Sequence, residues 1–299
     1  MPRQRAPGHA LRMTTRLLVV SLLLASWATG AEAAHAWVVA SWNLQWLLSP
    51  HTLHQARLAC RQNGRAQIPC DVAWELARSR TDFAAMRRIA ERISADVIAV
   101  QEVESASLLS VLFPGAAICL SAGPGHQQVG FVVRAGLAHE CLPDIRALGT
   151  GGRQRHGAQL RLFPGTPAQT LLLAVHLKSG CAVGPLGTGT AACRTLARQL
   201  PMVADWLEDA ERQGHRALVV GDFNRVAPLP LPVPAPGQRE AGPCLVGQTY
   251  AAPIDHIVLG VLLHDGNKRA RSRRIPFLPE ESDRYRLSDH CPIVMDIVS

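Results

Sequence analysis

Five apolar runs of this 299-residue chain are interrupted by side chains that can bind a metal or move a proton. They are Asn43 in VVASWNLQWL, Glu102 in DVIAVQEV, Asp222 with Asn224 in ALVVGDFNR, Asp255 in PIDHIVLG, and Asp289 with His290 in RLSDHCPIV. A single polar residue at a strand end is usually a turn signal. Five interruptions made of carboxylates, amides and imidazole favour one shared site over five unrelated turns.

Glu102 and Asp289 are the candidate ligands for a hard cation. Each carboxylate lies at the end of an apolar run. Mg²⁺ needs this arrangement, because it takes few protein oxygens and keeps room for waters and a substrate phosphate. A helix-capping acid at Glu102 and a turn former at Asp289 are the alternatives, and for each residue taken alone they are equally well supported.

Asp222 and Asn224 are candidates for acid, base or phosphate chemistry. They lie two residues apart at a strand exit, so both side chains can face one site. Asp222 could orient or deprotonate a water, and Asn224 could donate a hydrogen bond to an anionic oxygen. The alternative is an Asx-turn that closes the strand.

Two histidines could contribute a proton or bind a phosphoryl oxygen. His176 ends the run LLLAVH, and His290 follows Asp289. An unpaired carboxylate in the apolar surroundings of Asp255 would be costly. A hydrogen bond between Asp255 and His290 would satisfy both groups and orient the imidazole.

Strands and helices that alternate along the chain must position these residues. Apolar residues at helical spacing predict helices over 81–94, with Thr81 or Asp82 as N-cap, and over 192–212, with a kink at Pro201. The predicted strands are 37–44, 96–103, 129–134, 158–163, 171–176, 217–220, 254–259 and 291–297. The predicted long loops are 49–71, 114–128, 180–191 and 226–248. One domain over residues 35–299 accounts for this pattern.

The N-terminus has the features of a secretory signal peptide. Arg12 and Arg16 precede an apolar run over 17–27, and small residues follow at 31–36. We expect residues 1–34 to be cleaved, which gives a periplasmic or secreted protein without stable membrane insertion. Loss of four arginines and one glutamate with this segment lowers the formal net charge from +8 to +5. That charge suits a phosphorylated or polyanionic partner, and equally an ordinary exported protein.

All eight cysteines lie after this segment. Their even number in an oxidising compartment favours disulfides over a zinc site, and no two are spaced as CxxC. We expect sequential pairing because it closes the shortest loops. The expected pairs are Cys60–Cys70, Cys119–Cys141, Cys181–Cys193 and Cys244–Cys291.

Six segments together resemble a known family. WNLQW, DVIAVQEV, AVHLKSG, VVGDFN, IDHIVL and RLSDHCPI occur in the order, and at about the spacings, of the endonuclease/exonuclease/phosphatase superfamily with the deoxyribonuclease I-like fold. The resemblance covers the chain from about Trp37 to Val298. It implies an α/β (α+β) four-layer sandwich, with two mainly antiparallel sheets packed face to face and flanked by helices. It also implies Mg²⁺-dependent hydrolysis of phosphate esters, with Mn²⁺ or Ca²⁺ as additional candidate ions.

The resemblance implies a metal site and an activated histidine. Glu102 is similar to the family's principal metal ligand, and Asn43 and Asp289 are expected to assist it. His290, polarised by Asp255, resembles the catalytic base or phosphate-binding histidine.

The resemblance also implies how the phosphate is handled. Asp222 would align the attacking water, and Asn224 would hold the phosphate. His176 would stabilise the pentacoordinate oxygens or protonate the leaving oxygen. Arg153 and Arg155 in GGRQRHGA resemble the phosphate-contacting arginine position.

Two departures from the deoxyribonuclease pattern bear on the substrate. Glu104 stands where those enzymes tend to place an arginine, and Gln127 stands where they place an acid beside the first histidine. The main interpretation is an exported, monomeric nuclease that cleaves DNA or RNA. A phospholipid phosphodiesterase or phosphatase of the sphingomyelinase or inositol-phosphatase type is the alternative, and an exposed apolar hairpin would favour it. A non-catalytic binding module is disfavoured, because buried acids are costly to retain without a use.

Overall fold

The computed structural model describes residues 1–2, 36–62, 67–150, 155–186, 189–231, 244 and 253–299. The strands are β1 Ala36–Leu47, β2 Val97–Val103, β3 Ala117–Leu120, β4 Gln128–Val133, β5 His139–Ile145, β6 Gly157–Leu162, β7 Thr170–His176, β8 Arg216–Asp222, β9 Asp255–Leu259, β10 Arg273–Arg274 and β11 Ile293–Val298. The helices are α1 Pro50–Arg61, α2 Cys70–Glu75, α3 Arg80–Ile93, α4 Ala106–Leu112, α5 Ala191–Arg212, α6 Val261–Gly266 and α7 Pro279–Ser282.

These strands form two sheets of similar design. The first has the order β10-β11-β1-β2-β4-β3, and the second has the order β5-β6-β7-β8-β9. Each contains one parallel pair, β1 with β2 and β7 with β8, and its other neighbours are antiparallel. The expected mainly antiparallel sheets are therefore confirmed.

Successive side chains of each strand point to opposite faces of its sheet, and the hydrophobic core is therefore divided into three layers. In β1, Val39 faces the second sheet, whereas Ala40 and Trp42 face the helical side. The second sheet supplies Leu172 and Leu218 to the same inter-sheet layer. Helices α3 and α4 cover the outer face of the first sheet, and α5 covers that of the second. The result is the four-layer sandwich of two sheets flanked by helices.

Local predictions needed three corrections. The N-cap of α3 is Ser79 rather than Thr81 or Asp82, because Ser79 and Asp82 form a reciprocal capping box. The predicted loop 49–71 contains α1 and the start of α2; Leu53 and Ala56 alone form the buried stripe of α1, which is weak in the sequence. The predicted loop 114–128 contains the short strand β3.

The four expected cysteine pairs lie at disulfide distance, with Cα–Cα separations of 5.8, 5.5, 5.0 and 5.1 Å in chain order. The bond between Cys119 and Cys141 joins β3 to β5, the outer strands of the two sheets. Apart from Met1 and Pro2, the expected signal peptide lies outside the described residues. Within the part of the chain that the structure describes, no helix has the length and apolarity needed to cross a membrane.

Candidate active site

The parallel pair of each sheet brings two of the polar side chains to one edge. Asn43 and Glu102 lie near the carboxyl ends of β1 and β2, and His176 is opposite Asp222 at the ends of β7 and β8. The two-residue period of a strand explains the direction of Asp222, because Leu218 and Val220 before it face the inter-sheet layer. The four side chains therefore meet where the space between the sheets opens.

Irregular backbone aims the side chains from β1 and β2. The register between these strands shifts after Asn43, and β2 shifts against β4 around Glu102. Glu102 has a φ of 60°, which is unusual for a residue with a side chain. Gln45 and Trp46 have φ values of 45° and 50°. Bulges of this kind turn a side chain away from the regular pleat, and here they turn Glu102 toward the site.

Asp222 is at the centre of the site. Its Oδ2 atom accepts hydrogen bonds from the amide groups of Asn43 and Asn224, each at 3.1 Å. The Nε2 atoms of His176 and His290 lie 3.5 and 3.9 Å from the same oxygen. The other oxygen, Oδ1, accepts from the backbone N–H of Asn224 at 2.8 Å, which closes the expected Asx-type turn without removing the side chain from the site. Four side-chain nitrogen groups thus converge on one carboxylate oxygen.

Burial gives Asp222 the character of a base near neutral pH. Only 2% of its side chain is exposed. Burial and the nearby charge of Asp255 raise the pKa of Asp222 to about 7, although His290 and the amide donors oppose the shift. A carboxyl group with this pKa can accept a proton from water at neutral pH.

His290 and Asp255 form a hydrogen-bonded pair beside Asp222. The Nδ1 atom of His290 lies 2.7 Å from Oδ2 of Asp255, as the sequence led us to expect. Burial alone would lower the pKa of His290, but the charge and hydrogen bond of Asp255, with Asp222 and Asp289, raise it to about 10. His290 is therefore an imidazolium at neutral pH, and its Nε2–H is available to an anionic oxygen.

His176 is held in the opposite charge state. The guanidinium of Arg155 donates through Nη2 to Nε2 of His176 at 2.9 Å, since arginine has no acceptor. Burial and the charge of Arg155 lower the pKa of His176 well below its ordinary value. Its proton is therefore on Nδ1, which is buried without a hydrogen-bond partner among the described residues.

Comparison with known proteins shows the family of this chain. The model of the endonuclease/exonuclease/phosphatase family matches residues 40–290. The chain belongs to this family. Membership makes it a phosphoesterase-type hydrolase, in agreement with the resemblance found in the sequence. No curated protein matches the chain by sequence.

Solved structures of other proteins share the fold. Truncated TDP2 from Caenorhabditis elegans superposes with a TM-score of 0.58 at 15% identity, covering 88% of this chain and 98% of that chain. The human nocturnin catalytic domain with a bound sulfate anion gives 0.54 at 15% identity, with coverages of 88% and 95%. D. rerio TDP2 complexed with a single strand DNA product gives 0.51 at 16% identity, with coverages of 87% and 98%.

The family generally depends on a divalent metal, and Glu102 and Asp289 are the carboxylates that the sequence predicts as its ligands. The Glu102 side chain is 14% exposed and the Asp289 side chain is 45% exposed. One largely buried and one exposed carboxylate suit a hard cation that retains several waters. The backbone N–H of Trp46 donates to Oε2 of Glu102 at 3.0 Å and fixes its orientation.

The amide of Asn43 is oriented away from metal coordination. Its Oδ1 accepts from the backbone N–H of Gln45 at 3.0 Å, and its Nδ2 faces Glu102 at 3.3 Å and Asp222. Asn43 therefore acts as a hydrogen-bond donor that lies between the carboxylates of Glu102 and Asp222. Its expected role as a metal ligand stays a prediction, and it requires the oxygen to leave Gln45.

A second set of ligand-type atoms lies close by, since Asp222, Asp255 and His290 each offer one atom within 4.8 Å of the others. A hydrogen bond already joins His290 to Asp255, and Asp222 accepts from the amides of Asn43 and Asn224. Glu102 and Asp289 stay the predicted metal ligands.

The structure brings together every predicted site residue except Arg153, which lies outside the described residues. Sequence reasoning missed Gln45 and Trp46, whose backbone N–H groups orient Asn43 and Glu102. The close backbone packing that GDFN indicates in the sequence is present at Gly221, where a Cβ atom would lie 2.1 Å from the carbonyl oxygen of Val175. The GDFN motif contains that glycine because β7 and β8 approach too closely for any side chain.

Proposed function

We propose that this protein is an exported, Mg²⁺-dependent phosphodiesterase that hydrolyses the backbone of DNA or RNA. The observation that carries the proposal is the convergence on Asp222 of two amides and two histidines, next to the His290–Asp255 pair. It supplies a base and a protonated donor side by side. A phosphoester placed there can be attacked and its charge neutralised in one step.

Asp222 would receive the proton of the attacking water. The water oxygen forms a bond to phosphorus as its proton moves to Asp222, and the phosphorus–oxygen bond to the leaving group then breaks, with the leaving oxygen taking a proton from solvent. Asn43 and Asn224 keep the carboxylate in place, so little reorganisation is needed. The imidazolium of His290 donates Nε2–H to a non-bridging oxygen, where negative charge grows.

A cation bound by Glu102 and Asp289 would supply positive charge against the phosphoryl oxygens and lower the pKa of bound water. The opposite side of the site has its own positive charge. Burial and the charge of Arg155 lower the pKa of Lys178, which places these two groups within electrostatic reach. Arg155 is thus positioned to exchange its contact with His176 for a phosphate oxygen.

Three observations favour nucleic acid over a phospholipid. The formal net charge of the expected mature chain, residues 35–299, is +5, which suits a polyanionic partner. The described turns 121–127 and 163–169 have the polar or small sequences SAGPGHQ and FPGTPAQ, and Phe163 is buried. A lipid-binding hairpin would expose apolar residues at such a tip. A protein of similar fold, D. rerio TDP2, was solved with a single strand DNA product.

The test uses purified, oxidised protein with supercoiled plasmid, RNA and mixed phospholipid vesicles. We expect Mg²⁺-dependent cleavage of plasmid or RNA, loss of cleavage in EDTA, and a loss of roughly a thousandfold in Asp222→Ala. Asp96→Ala is the matched control, because Asp96 binds Val38 and Arg134 at the opposite end of β2. Release of phosphocholine or inorganic phosphate from lipid, with plasmid and RNA intact, would replace the nuclease proposal.

The proposal includes export as a monomer with disulfides formed. It is supported by the apolar run over 17–27 and by four cysteine pairs at disulfide distance. Expression of the full chain in a Gram-negative host should give a periplasmic or secreted protein whose N-terminus lies between Ala34 and Trp37. Recovery of the uncleaved chain in the cytoplasm would contradict export, and size-exclusion chromatography tests the monomer.

A further inference from the structure

One arginine outside the motif segments binds two segments next to the proposed metal ligands: the end of β1, which contacts Glu102, and the loop before β11, which contains Asp289. Arg78 lies between α2 and α3, and its Nη1 donates to the carbonyl oxygens of Gln45 at 2.9 Å and Trp46 at 3.2 Å. Its Nη2 donates to Leu287 at 2.7 Å, and its Nε donates to Arg286 at 3.0 Å. A single guanidinium thus joins the irregular end of β1 to the loop before β11.

The end of β1 has a strained backbone at Gln45 and Trp46, and it faces the site. Gln45 and Trp46 both have left-handed backbone conformations, which cost free energy for residues with side chains. Their carbonyl groups point to Arg78, whereas their N–H groups bind Asn43 and Glu102. Arg78 therefore stabilises the backbone conformation that orients Glu102.

The loop before β11 is hydrogen-bonded to the end of β1 on the side that faces the site. The backbone N–H of Asp289 donates to Oε1 of Gln45 at 3.1 Å, and the hydroxyl of Ser288 donates to the carbonyl of Asn43 at 2.6 Å. Leu287, which accepts from Arg78, directly precedes Ser288. The separation of Glu102 and Asp289 thus depends on the end of β1 and the loop before β11. Arg78 connects these two segments on the side that faces away from the site.

We infer that Arg78 is a positioning residue that sets the spacing of Glu102 and Asp289 for a divalent cation. The inference rests on the proposed function, because it assigns the metal to these two carboxylates. The guanidinium does not touch the substrate or the reacting atoms. It acts through four main-chain carbonyls, and its planar fork is what lets one side chain reach all of them.

The electrostatic surroundings agree with this placement. Burial lowers the pKa of Arg78 to about 10, and the carboxylates of Asp289, Asp82 and Glu102 oppose that effect. Arg78 remains protonated at neutral pH and lies within electrostatic reach of both proposed ligands. Its charge reduces the repulsion between two carboxylates that must lie close together.

A purely structural arginine elsewhere provides the matched control. Arg92 donates to both oxygens of Glu281 at 2.6 and 2.9 Å and ties α3 to α7. Like Arg78 it links an early segment to a late one, but its partners are not in the site. Arg92→Ala should therefore lower stability without changing metal binding.

The test measures Mn²⁺ affinity by electron paramagnetic resonance, together with chemical unfolding, for the full folded chain. We expect Arg78→Ala to weaken Mn²⁺ binding by about 10- to 100-fold, as for other residues that orient metal ligands, and millimolar guanidinium to restore part of the affinity. Arg78→Lys keeps the charge but not the fork, so it should fold and bind with intermediate affinity. In plasmid cleavage, the metal concentration for half-maximal rate should rise, while the KM for plasmid stays near its wild-type value.

The outcomes separate this inference from the proposed function. Wild-type affinity in Arg78→Ala, or an equal loss in Arg92→Ala, overturns the role of Arg78 and leaves the proposed function in place. Wild-type protein that binds no Mn²⁺ and cleaves neither plasmid nor RNA overturns both. If Arg78→Ala does not fold, wild-type affinity in Arg78→Lys has the same meaning as in the alanine variant.

Discussion

The Nη2 atom of Arg155 lies 2.9 Å from Nε2 of His176. Because the guanidinium is always protonated, this contact makes the imidazole an acceptor and places its proton on Nδ1. His176 cannot protonate a leaving group in this state. It can do so only after Arg155 moves onto a phosphate oxygen, which would couple substrate binding to the charge of His176.

Removal of Arg155 should therefore raise the pKa of His176. In Arg155→Met the Nε2 atom would lose its donor and keep Glu102 at 3.6 Å and Asp222 at 3.5 Å, which favour a proton there. Nuclear magnetic resonance titration of labelled histidine should show the His176 pKa moving up, with a rise in the KM for substrate. Arg225→Met is the control, since Arg225 binds the backbone of Cys181 and Gly184. An unchanged His176 titration would contradict the coupling.

Asp255→Asn should lower the upper pH limit of activity. Asp255 is the main reason that the pKa of His290 is raised to about 10, so the active imidazolium should persist to high pH in the wild type. Without that charge the pKa falls toward 6.5, and the rate should decline above about pH 7. We also expect a loss of roughly a hundredfold or more at the optimum. Profiles of kcat/KM against pH give both values, and coincident alkaline limbs would rule out this role of Asp255.

The same pair should affect stability with a definite sign. The native state holds a proton on His290 between pH 6.5 and about 10, where the unfolded chain has released it. The contribution is complete below pH 6.5 and is lost as pH rises through 10. Urea unfolding of the wild type should therefore show falling stability between pH 7 and 10, with a smaller fall in His290→Gln. Parallel slopes for the two proteins would refute the assignment.

Glu102→Gln should weaken metal-dependent activity much more than Glu104→Gln. Glu102 is a proposed ligand, whereas Glu104, two residues later, accepts from Ser49 and Thr52 at the start of α1. We expect Glu102→Gln to need a much higher Mg²⁺ concentration and to lose most of its rate. Glu104→Gln should keep the Mg²⁺ requirement and lose about 1 kcal/mol of stability through the weakened cap. Metal titrations with plasmid distinguish these results, and equal Mg²⁺ requirements would remove Glu102 from the metal site.

Strand period and residue type predicted the candidate residues, and the resemblance to the family implied that they meet where strand ends converge. Polar residues at the ends of apolar runs meet when parallel strands share an edge, as Asn43, Glu102, His176 and Asp222 do. The sequential cysteine pairs were predictable for a similar reason, since short loops are the easiest to close. Residue types and loop lengths can be read directly from the sequence, although the contacts that they predict include pairs of residues 59 and 47 positions apart.

The remaining features depend on contacts between distant segments. Arg78 binds carbonyl groups more than 30 and 200 residues away, and carbonyl groups exist at every position, so no motif marks their partner. The orientation of the Asn43 amide is fixed by the backbone of Gln45, whose left-handed conformation follows from a register shift in the sheet. Helix α1 was missed because its buried stripe is only Leu53 and Ala56.

Loss of the Cys244–Cys291 bond should affect activity as well as stability. Cys291 directly follows His290, whose carbonyl oxygen accepts from the indole N–H of Trp42 at 3.2 Å. The bond closes a separation of 47 residues, for which chain entropy gives a stabilisation of about 4 kcal/mol. We expect the Cys244→Ala, Cys291→Ala double variant to unfold at lower urea concentration and to lose about tenfold in kcat, because the backbone of His290 loses a covalent anchor.

The bond between Cys119 and Cys141 gives the comparison. It joins outer strands of the two sheets and closes a separation of 22 residues, for which the same estimate is about 3 kcal/mol. The Cys119→Ala, Cys141→Ala double variant should therefore lose similar stability and keep its kcat, measured at a temperature where both variants are folded. An equal fall in kcat would contradict this prediction, because only the Cys244–Cys291 bond is next to His290, the histidine proposed to stabilise the phosphoryl charge.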